Sequence, residues 1–189
     1  MNTPEQVALG SGFEIQQLAP TAVDDVTLAP ALTVLINEVY RVAEAGLWVD
    51  GAARTTAQEV TELIRAEEIA VARLHTELVG CVRIQELDSD TGEFGMLAAY
   101  SSHRGIGIGR QLVRFAEQRS RDRGHRSMQL ELLVPRKWKH PSKQFLAGWY
   151  GRIGYAVTRT GTIDDAYPHL APLLATPCDL LIYQKDLRD

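Results

Sequence analysis

The stretch Arg104-Gly105-Ile106-Gly107-Ile108-Gly109 sets three glycines at alternate positions between a predicted strand, residues 94–100, and a predicted helix, residues 110–123. The first backbone N–H groups of a helix have no partner within it, and the helix dipole is positive at that end. Such an end binds phosphate, and glycines let the backbone approach a pyrophosphate because they have no Cβ. The stretch therefore predicts a phosphate-binding turn between a strand and a helix.

The spacing of these glycines excludes the better-known phosphate loops. A Walker A motif ends in Gly-Lys-Ser/Thr, and a dinucleotide-binding turn has the spacing G-x-G-x-x-G, whereas here the glycines follow G-x-G-x-G. The stretch does fit Arg/Gln-x-x-Gly-x-Gly/Ala, as Arg104-x-x-Gly107-x-Gly109. With this motif the chain resembles the GNAT superfamily of acetyl-CoA-dependent N-acetyltransferases, in which the motif binds the pyrophosphate of the cofactor. The alternative is a glycine-rich turn that only joins a strand to a helix.

The composition fits one such domain and excludes several classes of function. The chain has 189 residues and a formal net charge of −4, which gives no general attraction to nucleic acid or to anionic membranes. We find no apolar run long enough to cross a bilayer and no secretion signal. The two cysteines, Cys81 and Cys178, lack metal or redox spacing. We therefore expect a cytoplasmic protein with no metal, no nucleic-acid partner and no membrane partner.

The apolar periodicity and the turn signals predict the order of the elements. Residues 1–12 are predicted to be a flexible tail, and residues 13–189 a single domain. Strands are predicted at residues 13–18, 69–74, 78–87, 94–100, 128–134, 155–159 and 180–185, with helices at 29–45, 56–64, 110–123 and 142–153. This order is that of the GNAT fold. The resemblance implies an α/β fold (α+β in some schemes) with a mixed, mostly antiparallel sheet of about seven strands flanked by helices.

The resemblance also implies where acetyl-CoA, the acyl donor, is bound. In the family, backbone groups of the strand before the glycine turn pair with the pantetheine arm, and by position these belong to Leu97, Ala98 and Ala99. The Leu97 N–H is the expected donor to the thioester oxygen. The expected pyrophosphate site comprises Arg104, Gly105, Ile106, Gly107, Ile108, Gly109 and Arg110.

A base must remove a proton from the amine for it to attack the thioester. In the histone-acetylating branch of the superfamily, a Glu eleven residues before the Arg/Gln of the motif is this base, and here that residue is Glu93. A carboxylate beside an apolar cleft can have a raised pKa. Glu93 is equally well explained as a polar residue that leaves a turn, because other members use water. Glu131, on the next predicted strand, is the second candidate and Glu86 the third.

The departing thiolate needs an acid. The segment Trp149-Tyr150-Gly151-Arg152-Ile153-Gly154-Tyr155 resembles the [F/L]-Y-x-x-x-G-[F/Y] helix end of the family, which places Tyr150 near the CoA sulfur. A phenol with a pKa of about 10 is protonated at neutral pH and can donate that proton. The alternative is that Tyr150 only packs between helix and sheet. Many members have an Asn seven residues before this Tyr, but here that residue is Lys143, so the Asn contact is missing or replaced.

In this fold the acceptor enters opposite CoA, between the loop that joins the first two helices and the connection before the last strand. The candidate residues are Tyr40, Trp48, Asp50 and Arg54 on one side, and Asp164, Asp165, Tyr167 and His169 on the other. Aromatic faces and the acidic pair suit a cationic amine.

These features predict an N-acetyltransferase that moves an acetyl group from acetyl-CoA to a primary amine of a small molecule or peptide. The transfer is expected by direct attack in a ternary complex, because no Cys lies near the motifs. A homodimer is compatible with the resemblance. The alternative is a non-catalytic acyl-CoA-binding sensor or interaction module.

Overall fold

A computed structural model describes residues 6–8 and 12–188, which form one mixed sheet with helices on both faces. The strands are β1 Gln6–Ala8, β2 Phe13–Gln17, β3 Ile69–Leu74, β4 Glu77–Glu86, β5 Thr91–Ala99, β6 Ser127–Pro135, β7 Ala156–Gly161 and β8 Cys178–Asp186. The α-helices are α1 Leu28–Ala43, α2 Ala57–Arg65, α3 Ile108–Asp122, α4 Pro141–Arg152 and α5 Ile163–Ala166. Short 3₁₀ helices lie at Pro20–Asp24, Ser101–His103 and Ala171–Leu173.

The sheet has the order β1-β2-β3-β4-β5-β6-β8-β7. All neighbouring strands are antiparallel except β5 and β6, which are parallel. The predicted fold class is therefore confirmed. The additional strand, β1, lies within the segment predicted as a flexible tail, and the rest of that segment, residues 1–5 and 9–11, lies outside the described residues. The division into a tail and one domain stays a prediction.

The two faces of the sheet bury separate cores. On one face, α3 and α4 cover a cluster that includes Phe94 and Leu130. On the other face, α1 and α2 cover a cluster around Leu32. A smaller cluster around Leu133 extends this core toward β8. Successive side chains of a strand point to opposite faces. Glu131, between Leu130 and Leu132, therefore points to the α1 face of the sheet.

Local sequence signals explain where two of the helices begin. The Thr56 hydroxyl accepts a hydrogen bond from the Glu59 N–H at 3.2 Å, which is the first half of a capping box at the start of α2. The helix predicted from residue 142 begins at Pro141 instead, and its cap is His140, whose Nδ1 accepts from the Ser142 N–H at 3.2 Å. Pro141 moves the start of the helix upstream, because a proline fits the first helical position well.

The described residues can be searched for helices that could span a membrane, for groups that could bind a metal ion and for reactive thiols. None of the helices within residues 6–8 and 12–188 is long and apolar enough to cross a lipid bilayer. This part of the chain also has no group of three or more His, Cys, Asp or Glu side chains that could hold a metal ion. Cys81 and Cys178 are buried free thiols, and burial raises the pKa of Cys81 to about 12. A buried thiol of raised pKa is a poor nucleophile.

Candidate active site

The glycine turn has the conformation that a phosphate site requires. Gly105 and Gly107 have φ values of 93° and 89°, and a Cβ at either position would meet no other atom within 4 Å. Gly107 is the N-cap of α3, and no side chain caps the helix there, so its first N–H groups stay available. Arg104 and Arg110 lie exposed on either side. Ile108 is 3% exposed and packs in the core, so it can offer only its backbone N–H.

An opening between β5 and β6 leads to this turn. The two strands pair only from Thr91 opposite Ser127 to Glu93 opposite Gln129, and then run on without pairing to Ala99 and Pro135. The facing edges of the unpaired segments therefore carry backbone N–H and C=O groups without a partner strand. A ligand that carries amides along an extended chain can bind such edges as another strand does. Leu97, Ala98 and Ala99, predicted to pair with pantetheine, lie on the β5 side of the opening.

A β-bulge distorts β5 beside the opening. Phe94 packs in the α3-side core, whereas Met96, two residues later, packs in the α1-side core, so the strand changes phase between them. Met96 has a φ of 45°, and the register with β4 shifts at the same point. A bulge leaves backbone groups outside the regular ladder. The N–H of Leu97, directly after the bulge, is thus placed to serve a ligand, and its predicted role stays a prediction.

Tyr150 lies in an aromatic cluster on the α4 face of the sheet. It is 5% exposed, and its ring centroid lies 6.1 Å from that of Phe94 and 6.0 Å from that of Tyr183. Burial raises the pKa of Tyr150 far above its usual value, and charge on Tyr40 would raise it further. Tyr40 belongs to α1 on the opposite face, so this electrostatic interaction acts across the sheet. Tyr150 therefore stays protonated at any working pH.

Glu93 belongs to a row of polar side chains that crosses four strands. It is 6% exposed, and its Oε1 accepts a hydrogen bond from Gln85 Nε2 on β4 at 2.5 Å. Its Oε2 accepts from Gln129 Nε2 on β6 at 2.8 Å, and Gln184 Nε2 on β8 donates to Gln129 Oε1 at 3.3 Å. Both carboxylate oxygens are therefore engaged by amide donors, which fixes the side chain at the point where β5 and β6 part.

Glu131 lies two residues after Gln129 on β6, and its side chain points to the same face of the sheet as Gln129 and Glu93. Its Oε2 accepts a hydrogen bond from the Tyr167 hydroxyl at 2.6 Å, and its Oε1 has no hydrogen bond among the described residues. Burial raises the pKa of Glu131, the hydrogen bond from Tyr167 opposes that shift, and the charge of Glu93 raises the pKa further. The structure thus places Glu93 and Glu131, the first and second candidate bases, within electrostatic reach of each other.

A cavity of about 520 Å³ lies on the α1 face between the segment that joins α1 to α2 and the 3₁₀ helix Ala171–Leu173. A Trp48–Leu174 bridge and a hydrogen bond from the Val49 N–H to the Leu173 carbonyl, at 2.8 Å, hold these two segments together. The cavity is lined by four residues that the sequence nominated for the acceptor: Tyr40, Trp48, Asp50 and Arg54. Their role in binding an acceptor stays a prediction.

The residues nominated from the other segment do not line this cavity. Thr162 caps α5 with Asp165 as its partner: Thr162 Oγ1 accepts from the Asp165 N–H at 3.2 Å, and the Thr162 hydroxyl donates to Asp165 Oδ2 at 2.7 Å. Asp164 and His169 are exposed, and Tyr167 is bound to Glu131. Asp165 therefore has a local structural role at the helix start.

Lys143, which stands where many family members have an Asn, forms a buried ion pair. Its Nζ lies 2.6 Å from Glu44 Oε1, and Trp48 Nε1 donates to Glu44 Oε2 at 2.6 Å. The side chains of Lys143 and Glu44 are 5% and 8% exposed. Lys143 is thereby turned toward the wall of the cavity, and the Asn contact is replaced by a link between α4 and the end of α1.

Sequence reasoning missed several residues that shape the site. Asn37 Oδ1 accepts from the N–H groups of Arg54 at 2.8 Å and Thr55 at 3.0 Å, and so fixes the loop that carries Arg54. An amide among the apolar residues of a predicted helix was the available signal for Asn37. The polar partners of Glu93 had a similar signal, as glutamines within apolar strands. The bulge at Met96 had none, because residues 96–99 are continuously apolar and show no alternation.

The family model described as the acetyltransferase (GNAT) family matches residues 33–147, more than half of the chain. The chain therefore belongs to the GNAT acetyltransferase family, which confirms the predicted family and the predicted enzyme class, an acyltransferase. The match includes the glycine turn, Glu93 and Glu131 and ends before Tyr150. No curated protein sequence matches the chain.

Solved structures share the fold at low sequence identity. N-acetylglutamate synthase from Neisseria gonorrhoeae, complexed with coenzyme A and N-acetyl-glutamate, is 16% identical with a TM-score of 0.63; the match covers 97% of this chain but 36% of that one. A GNAT family acetyltransferase from Elizabethkingia anophelis with acetyl-CoA bound is 16% identical with a TM-score of 0.53, over 69% of this chain and 83% of that one. An aminoglycoside 6'-N-acetyltransferase complexed with coenzyme A is 17% identical with a TM-score of 0.61, over 85% and 93%. This chain thus spans about a third of the length of the synthase.

Proposed function

We propose that this protein transfers an acetyl group from acetyl-CoA to a primary amine of a small molecule or peptide, by direct attack in a ternary complex. The observation that carries the proposal is the opening between β5 and β6 with the glycine turn beyond it. Unpaired strand edges suit the amides of a pantetheine arm, and an uncapped helix start beside Gly105 and Gly107 suits a pyrophosphate. The structures that share the fold, two of which hold coenzyme A and one acetyl-CoA, support the same donor.

The residues around the opening supply the proton transfers that the reaction needs. Bound acetyl-CoA supplies an activated acetyl group as a thioester. Glu131 accepts the proton that the amine loses as its nitrogen bonds to the acetyl carbon. Tyr150 donates its hydroxyl proton to the sulfur as the carbon–sulfur bond breaks, and recovers a proton from solvent after product release. The Leu97 N–H donates a hydrogen bond to the acetyl oxygen as that atom gains charge.

We assign the proton-accepting role to the carboxylate pair, with Glu131 as the acceptor atom and Glu93 as its charged neighbour. Glu93 has both oxygens engaged by amides, whereas Glu131 keeps Oε1 for the amine or for an intervening water. A base with a raised pKa is also better matched to neutral pH. The sequence favoured Glu93 for this role, and the pH dependence below separates the two residues.

Replacing Gly107 by Ala should weaken acetyl-CoA binding about tenfold or more, because a methyl group keeps the pyrophosphate away from the first N–H groups of α3. Gly124→Ala is the matched control, since Gly124 has the same φ of 89° and equally open surroundings but follows the C-terminus of the same helix. Both variants should lose about 1 kcal/mol of stability from the backbone conformation. Calorimetric titration with acetyl-CoA measures the difference, and equal affinities in the two variants would contradict the assignment of the turn.

The pH dependence of kcat/KM should report the Glu131 carboxyl. Activity needs its ionised form, so it is present above the pKa and lost as pH falls through it. Because that pKa is raised, the acidic limb should lie above the ordinary glutamate value of 4.5. Glu93→Gln removes a charge that raises the pKa, so the limb should move to lower pH. Tyr167→Phe removes a hydrogen bond that lowers it, so the limb should move to higher pH.

Shifts in opposite directions would be difficult to obtain from a structural defect. A Glu93→Gln variant in which activity is abolished at every pH, with acetyl-CoA binding intact, would instead make Glu93 the base. Since Gln85 and Gln129 both donate to Glu93, one of these amides must rotate to accommodate the new side chain. Thermal unfolding of the variant shows whether that adjustment disturbs the fold.

Two further assignments belong with this proposal. We propose a cytoplasmic location, supported by the two free thiols of Cys81 and Cys178.

A homodimer is also proposed, because β7 is an exposed edge strand at the end of the sheet. Sedimentation of the purified protein over a range of concentrations measures the second assignment directly.

A further inference from the structure

Two arginines and two carboxylates line the acceptor cavity, and only one of these carboxylates is already held in an ion pair. Glu44 is the buried carboxylate of its wall, and Lys143 and Trp48 already engage both of its oxygens. Asp50 is exposed at the rim. The two cations of the lining, Arg41 and Arg54, form no ion pair with any carboxylate of the described residues. Because Lys143 neutralises Glu44, the two arginines of the described lining face one remaining carboxylate there, that of Asp50.

Arg54 is held in place with its guanidinium directed into this region. Its backbone N–H is fixed by Asn37 Oδ1, and its Cζ lies 5.2 Å from the centroid of the Tyr40 ring, over its face. The side chain is half-buried and interacts electrostatically with Tyr40 and Tyr167. It also interacts with three carboxylates, those of Glu44, Glu59 and Glu131, without forming an ion pair with any of them. An immobilised guanidinium offers a fork of N–H donors that matches a carboxylate in shape and charge.

We infer that the amine acceptor carries a carboxylate near its amino group, with free amino acids as the simplest such class, and that Arg54 binds this carboxylate. The amino group then lies toward Glu131, on the side of the opening between β5 and β6, and the rest of the molecule occupies the cavity. This inference rests on the proposed acetyl transfer and deepens it. It also replaces the sequence-based expectation that Asp164 and Asp165 attract the acceptor as a cation, because neither residue lines the cavity.

The test compares matched acceptors. The twenty common amino acids, their α-carboxamides and the corresponding decarboxylated amines are assayed for thiol release from acetyl-CoA. At least one amino acid should be preferred over its own carboxamide by about 10- to 100-fold in kcat/KM, the effect expected for a charge-assisted hydrogen bond. Arg54→Met should reduce that ratio to near one with acetyl-CoA affinity unchanged, and Arg54→Lys should restore part of it.

Arg65→Met is the matched control, because Arg65 lies exposed in the last turn of α2 and loses the same charge without facing the cavity. The preference for amino acids should persist in this variant. Equal rates for amino acids and their carboxamides in the unchanged protein would overturn the inference while leaving acetyl transfer intact. Failure to bind acetyl-CoA at all would contradict the proposed function instead.

A binding measurement decides the case in which acetyl-CoA binds but no acceptor reacts. The protein saturated with CoA is titrated calorimetrically with the same amino acids and carboxamides. Binding of an amino acid that Arg54→Met abolishes and Arg65→Met preserves supports the inference. Absence of binding by every amino acid overturns it.

Discussion

Glu131→Gln should lower kcat by about 10²- to 10⁴-fold, the range expected for loss of a general base. The substitution keeps the shape of the side chain and its hydrogen bond from Tyr167, whose hydroxyl can donate to the new amide oxygen as it does to Oε2. Acetyl-CoA affinity should be unchanged, because Glu131 points to the α1 face, away from the glycine turn. The residual activity should also lose its acidic limb, since the carboxyl that accepts the proton is gone.

The control for this prediction is Glu14→Gln, which makes the same change at an exposed position of β2. It should leave kcat and its pH dependence unaltered. Single-turnover thiol release after mixing with saturating acetyl-CoA and acceptor separates the chemical step from product release. A Glu131→Gln variant with full activity, beside a Glu93→Gln variant with none, would transfer the base to Glu93.

Tyr150→Phe should lower kcat by about 10²-fold through loss of the acid that protonates the departing sulfur. Removal of one hydroxyl leaves the aromatic cluster packed, because the ring still contacts Phe94 and Tyr183. The Kd for acetyl-CoA should stay constant, so the loss is expected in kcat alone. If an acceptor is acetylated and kcat is the same in Tyr150→Phe, the sulfur must be protonated by solvent. If neither protein acetylates any acceptor, the non-catalytic sensor is favoured.

Tyr183→Phe is the matched control for Tyr150→Phe. Tyr183 is 5% exposed, belongs to the same cluster and lies with its ring centroid 6.0 Å from that of Tyr150. Its loss of a hydroxyl should cost little activity, because β8 lies beyond β6 and away from the opening. Similar losses of kcat in the two variants would show that the cluster acts through packing rather than through the Tyr150 proton.

The local parts of the site could be predicted from the sequence because their physical requirements are local. A turn that needs positive φ and close approach to a ligand needs glycine, and Gly105 and Gly107 have those φ values. A helix start needs a capping side chain, and Thr56 provides it. The resemblance to GNAT proteins rested on the same short motifs and gave the correct fold.

The relations across the sheet could not be predicted in this way. Glu93 and Glu131 influence each other only because β5 and β6 pair in parallel with Glu93 opposite Gln129, and tertiary packing sets that register. The bulge at Met96 allows β5 to bury Phe94 in the core on one face of the sheet and Met96 in the core on the other face. Arg54 faces the cavity because Asn37, on α1, holds its loop. Each of these features joins residues that are distant in the sequence.

Thiol release from acetyl-CoA by the unchanged protein, measured with the panel of free amino acids, tests the central claim most directly. The account predicts stoichiometric release of CoA with formation of an N-acetylated product for at least one of them. Tight binding of acetyl-CoA without release, for these acceptors and for carboxylate-free amines and peptides alike, would contradict it and leave a protein that binds acyl-CoA without turning it over.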